Sequence, residues 1–551
     1  MADQRGRRVR GKLHCTLFDI DCFWISIPQI SGPSGEENGK PMPYQNANID
    51  TFKKQAKRLK KAYASGDTEA RVRMQEIAPD KLTLTHADFL FVIAREQGHQ
   101  SWPKFKFALE TSGMNKEQKA DRLRSALYLG HRWIIEKLLA ESPDLTSYDL
   151  GLQIATYDIE AIHKALADNP GLVTKAIKGR LPFHHLCFSH YIHVEPEKAD
   201  NMLAMGQLLL DKGADFNHGM SPDFSSHENN EHTLSPLYGA LGHANNMVLA
   251  EWLLRQGANP DDNESLYHAT ELSHHQDLKL LLKYNANPKG TNALARALDF
   301  KDQTAVQLLL DHGADPNEVA KEHPSGQPVD TIPALHQAAR RQCGSDIAEL
   351  LLEYNADANY IWQGHTAYAL ALIHGNSDFA DTLSKAGYAH ALTPNEVVLA
   401  SCSRGRPTGK ITEELEGEDR LLITKLITEP DRLDHVKSLI AAGLDINQTD
   451  AMGLSPLHAA CWAGLPDQVS YLLKFDPDLE QLNNFGGNAF HTTLHGASNC
   501  PERKQRDHIS CVRLLLEAGA KLDPRDIQNV GSENMALFLE DWLDNHPTAI
   551  N

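Results

Sequence analysis

One phrase recurs along most of the chain and limits what it can fold into. It consists of two or three Leu, a short polar step, a Gly or Asn, and then Ala with Asp or Asn. The first copy reads Leu208-Leu209-Leu210-Asp211-Lys212-Gly213-Ala214-Asp215. It returns at Leu253 to Asn259, Leu281 to Asn287, Leu309 to Asp315 and Leu351 to Asp357. Later copies end at Gly443 and Gly519, with weaker ones at Gly387 and Asp476. Paired Leu supply the buried stripe of a helix. Gly or Asn accepts the left-handed backbone just past the helix end, and Asp or Asn favours the turn beyond it. A unit this small cannot bury its own apolar face, so successive copies must stack.

A second phrase precedes each of these. Its fullest copy is Gly453-Leu454-Ser455-Pro456-Leu457-His458-Ala459-Ala460-Cys461-Trp462-Ala463-Gly464. Ser455 is placed to cap a helix, and Pro456 suits a first position that needs no amide hydrogen. Ala460 and Cys461 are small enough to let neighbouring helices approach closely. Partial copies stand at Leu181 to His184, Ser235 to Tyr238, Pro333 to His336 and Thr393-Pro394. Together the two phrases resemble the ankyrin repeat, whose pattern is T-P-L-H-x-A and then a Leu-rich helix, at a period of about 33. The resemblance covers roughly residues 120–523. It implies an all-α solenoid of about ten helix pairs, with short or variable β-hairpin fingers and helical N- and C-terminal caps.

The spacing between copies locates the departures from that pattern. Gly257 to Asn285 and Asn285 to Gly313 are each 28 residues, short of the family period where a finger would project. Gly213 to Gly257 is 44 and Gly313 to Asn355 is 42. Their extra residues, near 218–232 and 318–330, belong to fingers. Insertions near 189–200 and 494–507 fall between the two helices of a repeat, and Gly387 to Gly443 holds one repeat plus a loop centred on 403–417. The first helix pair is expected near 121–146 and a helical cap near 525–545.

Ahead of the array, Phe52, Ala56, Leu59 and Tyr63 form one helical stripe, with Lys and Arg covering the other faces from Lys53 to Lys61. Thr85-His86-Ala87-Asp88 opens a second apolar helix that stops at Gly98, and Ser101 is placed to cap a third, begun by Trp102-Pro103. The stretch Ile93 to Lys104 resembles a segment found ahead of ankyrin repeats in bacterial proteins, which implies a bacterial source. The expected division is 1–45 as an N-terminal extension, 48–115 as a helical block, 120–523 as the array and 524–551 as cap and tail. The basic residues Arg5 to Lys12 precede a semi-apolar run, but Asp19 and Asp21 interrupt it and no cleavage pattern follows, which argues against a signal peptide. Helical periodicity starts just after Met42, so Met42 is read as the natural start and 1–41 as an upstream extension or disordered tail.

Charge and cysteine content narrow the function. The net charge is -19, while residues 1–61 hold 12 Lys and Arg against 6 Asp and Glu, so the body is acidic. An acidic body repels nucleic-acid phosphates. Eight Cys without a C-x-x-C pair fit a reducing compartment, hence a cytoplasmic protein. Among 28 His, those in the repeat phrase (His184, His268, His336, His458, His491) read as structural hydrogen-bonders. His184, His185, His190 and His193 with Cys187 could bind zinc by count, yet His184 and His185 point to different sides of one helix. His227-Glu228-Asn229-Asn230-Glu231-His232 misses the metalloprotease motif by one position. Gly405 to Ile411 fails as a phosphate loop, because Ile411 replaces the magnesium-holding hydroxyl; Arg404-Gly405-Arg406-Pro407 matches a minor-groove hook but is followed by an acidic run.

The sequence therefore reads as a non-enzymatic scaffold or adaptor that binds another protein, one presenting a basic patch, along its concave groove. No cofactor or metal is expected. The alternatives are an effector or enzyme acting through the N-terminal block or insertions, and a nucleic-acid adaptor using 53–61 and 404–410. The candidate binding residues are Trp462, Trp362, Tyr360, Phe485 and Ala459. Family geometry implies that Trp462 faces the groove from a first helix, while Trp362 and Phe485 sit on fingers of the same edge.

Overall fold

The computed structural model describes residues 49–77, 84, 86–220, 233–262, 264–272, 274–319, 332–411, 415–500, 502–530 and 532–546. The extension 1–45 with Met42, the near-motif His227 to His232, and most of the insertions 218–232 and 318–330 lie outside the described residues. Regular elements among the described residues are helical, and extended pairing is limited to the single bridges Ile177–Arg180, Met220–Leu234 and Trp362–His365. The chain divides into two compact units, one closing at Ala258 and the other opening at Asn259.

The unit that closes at Ala258 begins with four helices, Ile49–Ala64, Thr68–Ile77, His86–Glu96 and Trp102–Ser112. Phe52, Ala56 and Leu59 bury the stripe legible in the sequence, and the Phe52 ring stands edge-on to Phe105 at 4.7 Å. Lys54, Arg58 and Lys61 remain exposed on the opposite face. Ser101 precedes Trp102–Ser112 but makes no capping hydrogen bond, so Pro103 in the first turn sets this helix start without the expected cap. Four helix pairs follow: Lys116–Leu129 with Arg132–Glu141, Leu150–Ala155 with Ile159–Asp168, Pro182–Cys187 with Ala199–Asp211, and Pro236–Tyr238, continued by a π turn Gly239–His243, with Met247–Arg255. The 189–200 insertion forms the 3-10 turns His190–His193 and Pro196–Lys198, between two paired helices as expected.

Among its described residues the unit from Asn259 holds seven pairs. First helices are Ser265–Ala269, Ala293–Asp299, Ala334–Arg340, Ala367–His374, Pro394–Ser403, Pro456–Ala463 and Ala489–Asn499. Their partners are Gln276–Lys283, Gln303–Asp311, Ser345–Glu353, Ser377–Lys385, Leu433–Ala442, Pro466–Leu473 and His508–Glu517, and Pro524–Asn529 with Glu533–Asn545 cap the end. The 403–417 insertion is longer than a loop: its chain forms two short helices, Gly417–Arg420 and Leu422–Leu426, before the partner helix begins.

The repeated phrase does what its residues dictate. Leu209, Leu253, Leu281, Leu309, Leu351, Leu439 and Leu515 have no exposed surface. At the ends of most Leu-rich helices the amide five residues on closes back, as in Ala258 N to Leu253 O (3.0 Å), Ala314 N to Leu309 O (3.0 Å) and Leu444 N to Leu439 O (3.1 Å). That bond requires a left-handed residue between, which Gly443 (φ 108) and Asn355 (φ 61) supply. The Asp or Asn beyond then folds its side chain onto the amide two residues later, at Asp215, Asn259, Asn287, Asp315, Asp357, Asp445 and Asp478. Neighbouring turns are stapled by the same residue types: Asn287 N donates to Asp261 (2.7 Å), and Asp357 N to Asn317 (2.6 Å).

Candidate protein-binding surface

The repeat histidines tie one repeat to the next. His184 Nε2 lies 3.1 Å from the Leu234 carbonyl, and His336 Nε2 lies 3.1 Å from the His365 carbonyl. A carbonyl only accepts, so each ring donates from Nε2. Burial holds both rings neutral by pushing their pKa down to about 4. At the fullest repeat, the Ser455 hydroxyl accepts the His458 amide while Nδ1 of His458 faces back to Ser455 at 2.8 Å, a reciprocal cap. Such rings fix the pitch of neighbouring repeats and present no reactive nitrogen to solvent.

The sequence-selected binding residues separate once packed. Phe485 is 71% exposed and Tyr360 39% exposed, on two different finger turns. Asn483 shapes the first of these by accepting the amides of Phe485 and Gly487 at 3.0 Å, and Asn484 N donates to Met452 O of the preceding finger at 2.9 Å. Trp362 is buried instead: its backbone bridges His365, its ring lies 6.3 Å from His336, and the Arg340 guanidinium sits 5.9 Å above it. Ala459 is fully buried as well, because its helix packs closely against Ala489–Asn499, so it offers no surface. Trp462 is half-buried, with its ring 5.1 Å from His495 of the next repeat. The sequence reading passed over Ile361 (63% exposed) and Leu482 (61% exposed), which stand beside Tyr360 and Phe485. Apolar residues in segments otherwise built for turns were the available signal.

Along the first helices of this unit runs a ladder of charge. His268 sits between Glu264 (3.2 Å) and Glu271 (3.1 Å). Burial opposes its charge, but the hydrogen bonds to both carboxylates outweigh that and raise its pKa to about 9. Arg296 pairs with Glu271 at 2.7 Å, and Arg341 with Asp299 at 2.7 Å. His365 Nδ1 meets Glu396 at 2.6 Å and its Nε2 meets Asp419 at 2.9 Å. Here too burial is overcome by the hydrogen bonds the ring donates to Asp419 and to Glu396, and the pKa rises to about 9.

The unit closing at Ala258 gathers histidines differently. His243 Nε2 donates to Tyr128 O and His193 Nε2 to Ala244 O, each at 2.6 Å, with His190 5.3 Å from His243 between ring centres. Arg180 lies 4.0 Å above Tyr128. His184 and His185 donate in different directions, to Leu234 and Ile177. Among the described residues no group of three or more His, Cys, Asp or Glu is arranged to hold a metal. No helix there is long and apolar enough to cross a membrane. Arg404, Arg406 and Lys410 are exposed in the unit from Asn259.

Stacked helix pairs, many opened by a capped first helix as at Ser235, Thr366, Thr393, Ser455 and Asn488, and closed by a left-handed turn as at Asn355 and Gly443, are the features of an ankyrin-repeat array. A family model described as ankyrin repeats in three copies matches residues 237–320 and 427–526, so the repeats there are ankyrin repeats. The mouse protein named NF-kappa-B inhibitor delta is 31% identical over 128 residues, which is 21% of this chain and 38% of that protein. Human protein phosphatase 1 regulatory subunit 27 is 43% identical over 54 residues, 10% of this chain and 35% of that protein. The chain thus spans little more than a third of the length of these curated relatives. The solved ankyrin repeat domain of human ASB11 is 20% identical, covering 42% of this chain and 84% of that one at a TM-score of 0.21.

Proposed function

We propose that the protein is a non-enzymatic cytoplasmic scaffold that binds another protein through the unit from Asn259. The observation that carries this is four large apolar side chains standing exposed on finger turns: Tyr360, Ile361, Leu482 and Phe485. Such residues have no folding reason to face water, and aromatic anchors are enriched where proteins bind each other. Trp462, half-buried against His495, adds a partial aromatic face. The named relatives, an inhibitor and a regulatory subunit, are consistent with a binding role. The net charge of -19 supports a partner that carries a basic patch, through long-range steering. Among the described residues six Cys are buried and unpaired, which supports a reducing compartment. The test is capture of a partner with the full chain, followed by affinity measurement on Ile361→Ala and Phe485→Ala. Each should cost about 2 kcal/mol of binding with the melting temperature unchanged. Unaltered affinity in both variants refutes the finger surface.

A further inference from the structure

The first helix Pro394–Ser403 does not run into its partner, which begins only at Leu433. Instead the chain leaves through the exposed stretch from Arg404 to Lys410 and comes back against two earlier repeats. Glu418 reaches Arg340, 78 residues earlier, at 3.1 Å, and also pairs with Lys425. Asp419 reaches His365, 54 residues earlier, at 2.9 Å. Glu418 N donates to the Gln363 side chain at 3.2 Å. Arg340 ends a first helix, and Gln363 and His365 belong to a finger turn. The returning segment therefore lies across a first helix and a finger together.

Ile411 N donates to Ala442 O at 2.9 Å and Ile411 and Leu415 pack on the apolar cluster, whereas Glu418 and Asp419 are met by the side chains of Arg340, Gln363 and His365, as a ligand is held. The segment's own helix, Gly417–Arg420, is a single turn, too short to persist in water without such contacts. The Arg340–Glu418 pair is only partly shielded, with side-chain exposures of 17% and 21%, so water and another carboxylate can reach it, while the His365–Asp419 pair is more deeply buried. Gln363 and Gly417 meet so closely that a Cβ on Gly417 would stand 2.8 Å from the Gln363 amide oxygen. The neighbouring sequence is acidic throughout, with Glu413, Glu414 and Glu416.

We propose that Arg340, Gln363, His365 and Lys425 form a binding site for an acidic peptide segment of a partner protein, and that Glu418 and Asp419 occupy it as an intramolecular ligand. The partner's Glu or Asp side chains replace the chain's own pairs, and the single turn Gly417–Arg420 moves off Arg340 and His365. At ordinary ionic strength charges more than about 10 Å apart are largely screened, so the four named groups rather than the net negative charge decide at contact. The proposal rests on the reading of this unit as protein-binding, but uses none of the exposed finger residues of that reading.

The probe is a fluorescent peptide of the chain's own residues 412–421, added to the full-length protein and followed by anisotropy at fixed ionic strength. Wild type should bind it weakly. Glu418→Gln with Asp419→Asn should bind it at least tenfold more tightly, and further Arg340→Gln should abolish the gain. Gly417→Ala keeps every charge but strains a backbone held at φ +53, with its Cβ crowding Gln363, so it should also raise binding and expose Arg420 to trypsin. Equal binding by wild type and both variants overturns the proposal, as does equal binding of a scrambled peptide. A lower melting temperature without tighter binding identifies the segment as a structural staple and overturns it as well. Loss of partner affinity in Ile361→Ala or Phe485→Ala, or its absence, leaves this peptide result unaffected, so the two readings fail separately.

Discussion

Replacing His365 by Gln should destabilise the protein by an amount that depends on pH in a defined way. The folded imidazolium is held by Asp419 and Glu396, with a pKa raised to about 9 against 6.5 when unfolded. A group raised on folding contributes stability that is full below its unfolded value and is lost as pH rises through its folded value. At about 1.4 kcal/mol per pH unit, the interval from 6.5 to 9 corresponds to about 3 kcal/mol at pH 6. Gln retains the ring's ability to donate a hydrogen bond but carries no charge, so it should recover little of this. The wild-type advantage should therefore stand near 3 kcal/mol at pH 6, be about half that at pH 8, and vanish above pH 9.5. On the acid side Glu396 is also held below its usual range, against its burial, by the hydrogen bond from His365 and the amide of Thr393, so this part fades as pH falls through that depressed value. Denaturant titrations of wild type and His365→Gln at pH 6, 8 and 9.5 measure the difference, and Trp362, buried beside His365, reports on this repeat. Effects of other Tyr and Lys ionisations cancel between the two proteins. A difference that stays constant over this range, or one under 0.5 kcal/mol at pH 6 by the measure used for surface changes, would refute the buried charge.

Other expectations are equally concrete. Leu472→Ala or Leu515→Ala should cost about 2–5 kcal/mol, since both side chains are buried in one apolar cluster and leave a cavity; the denaturant midpoint reads this. Gly496→Ala should lower the melting temperature, because its Cβ would stand 2.4 Å from the Trp462 carbonyl oxygen, a backbone atom that cannot swing aside. In the unit closing at Ala258, burial lowers His184, His190 and His243 to about 4 and His185 to about 3, so these rings should resist protonation while their unfolded forms take it up. Stability of that unit should fall as pH drops from 6.5 towards 4, and ring-proton NMR shifts of the four that titrate above pH 6 would contradict the packing.

Much of the architecture was legible because its causes are local. The helix ends at Gly443 and Asn355, the Asx turns at Asp315 and Asp357, and the cap at Ser455 each depend on residues within about six positions of one another. Repetition multiplied these weak signals into a solenoid of stacked pairs, and the surplus spacing from Gly387 to Gly443 marked where an insertion had to lie. Ser101 shows the limit of even a local rule, since a favoured capping residue stands there without making the bond. What stacking buries was not legible. Trp362 and Phe485 look alike in sequence, each an aromatic on a finger, yet one lies under Arg340 and the other faces water. Ala459 disappears beneath the helix from Ala489 for the same reason: exposure depends on the neighbouring repeat, not on the residue's own phrase. The ladder from Glu271 through Arg296, and the return of Glu418 and Asp419 onto Arg340 and His365, join residues 25 to 78 positions apart. No local pattern encodes such pairs, because a charged side chain chooses its partner only after packing has brought distant helices together and withdrawn the water that would otherwise solvate both.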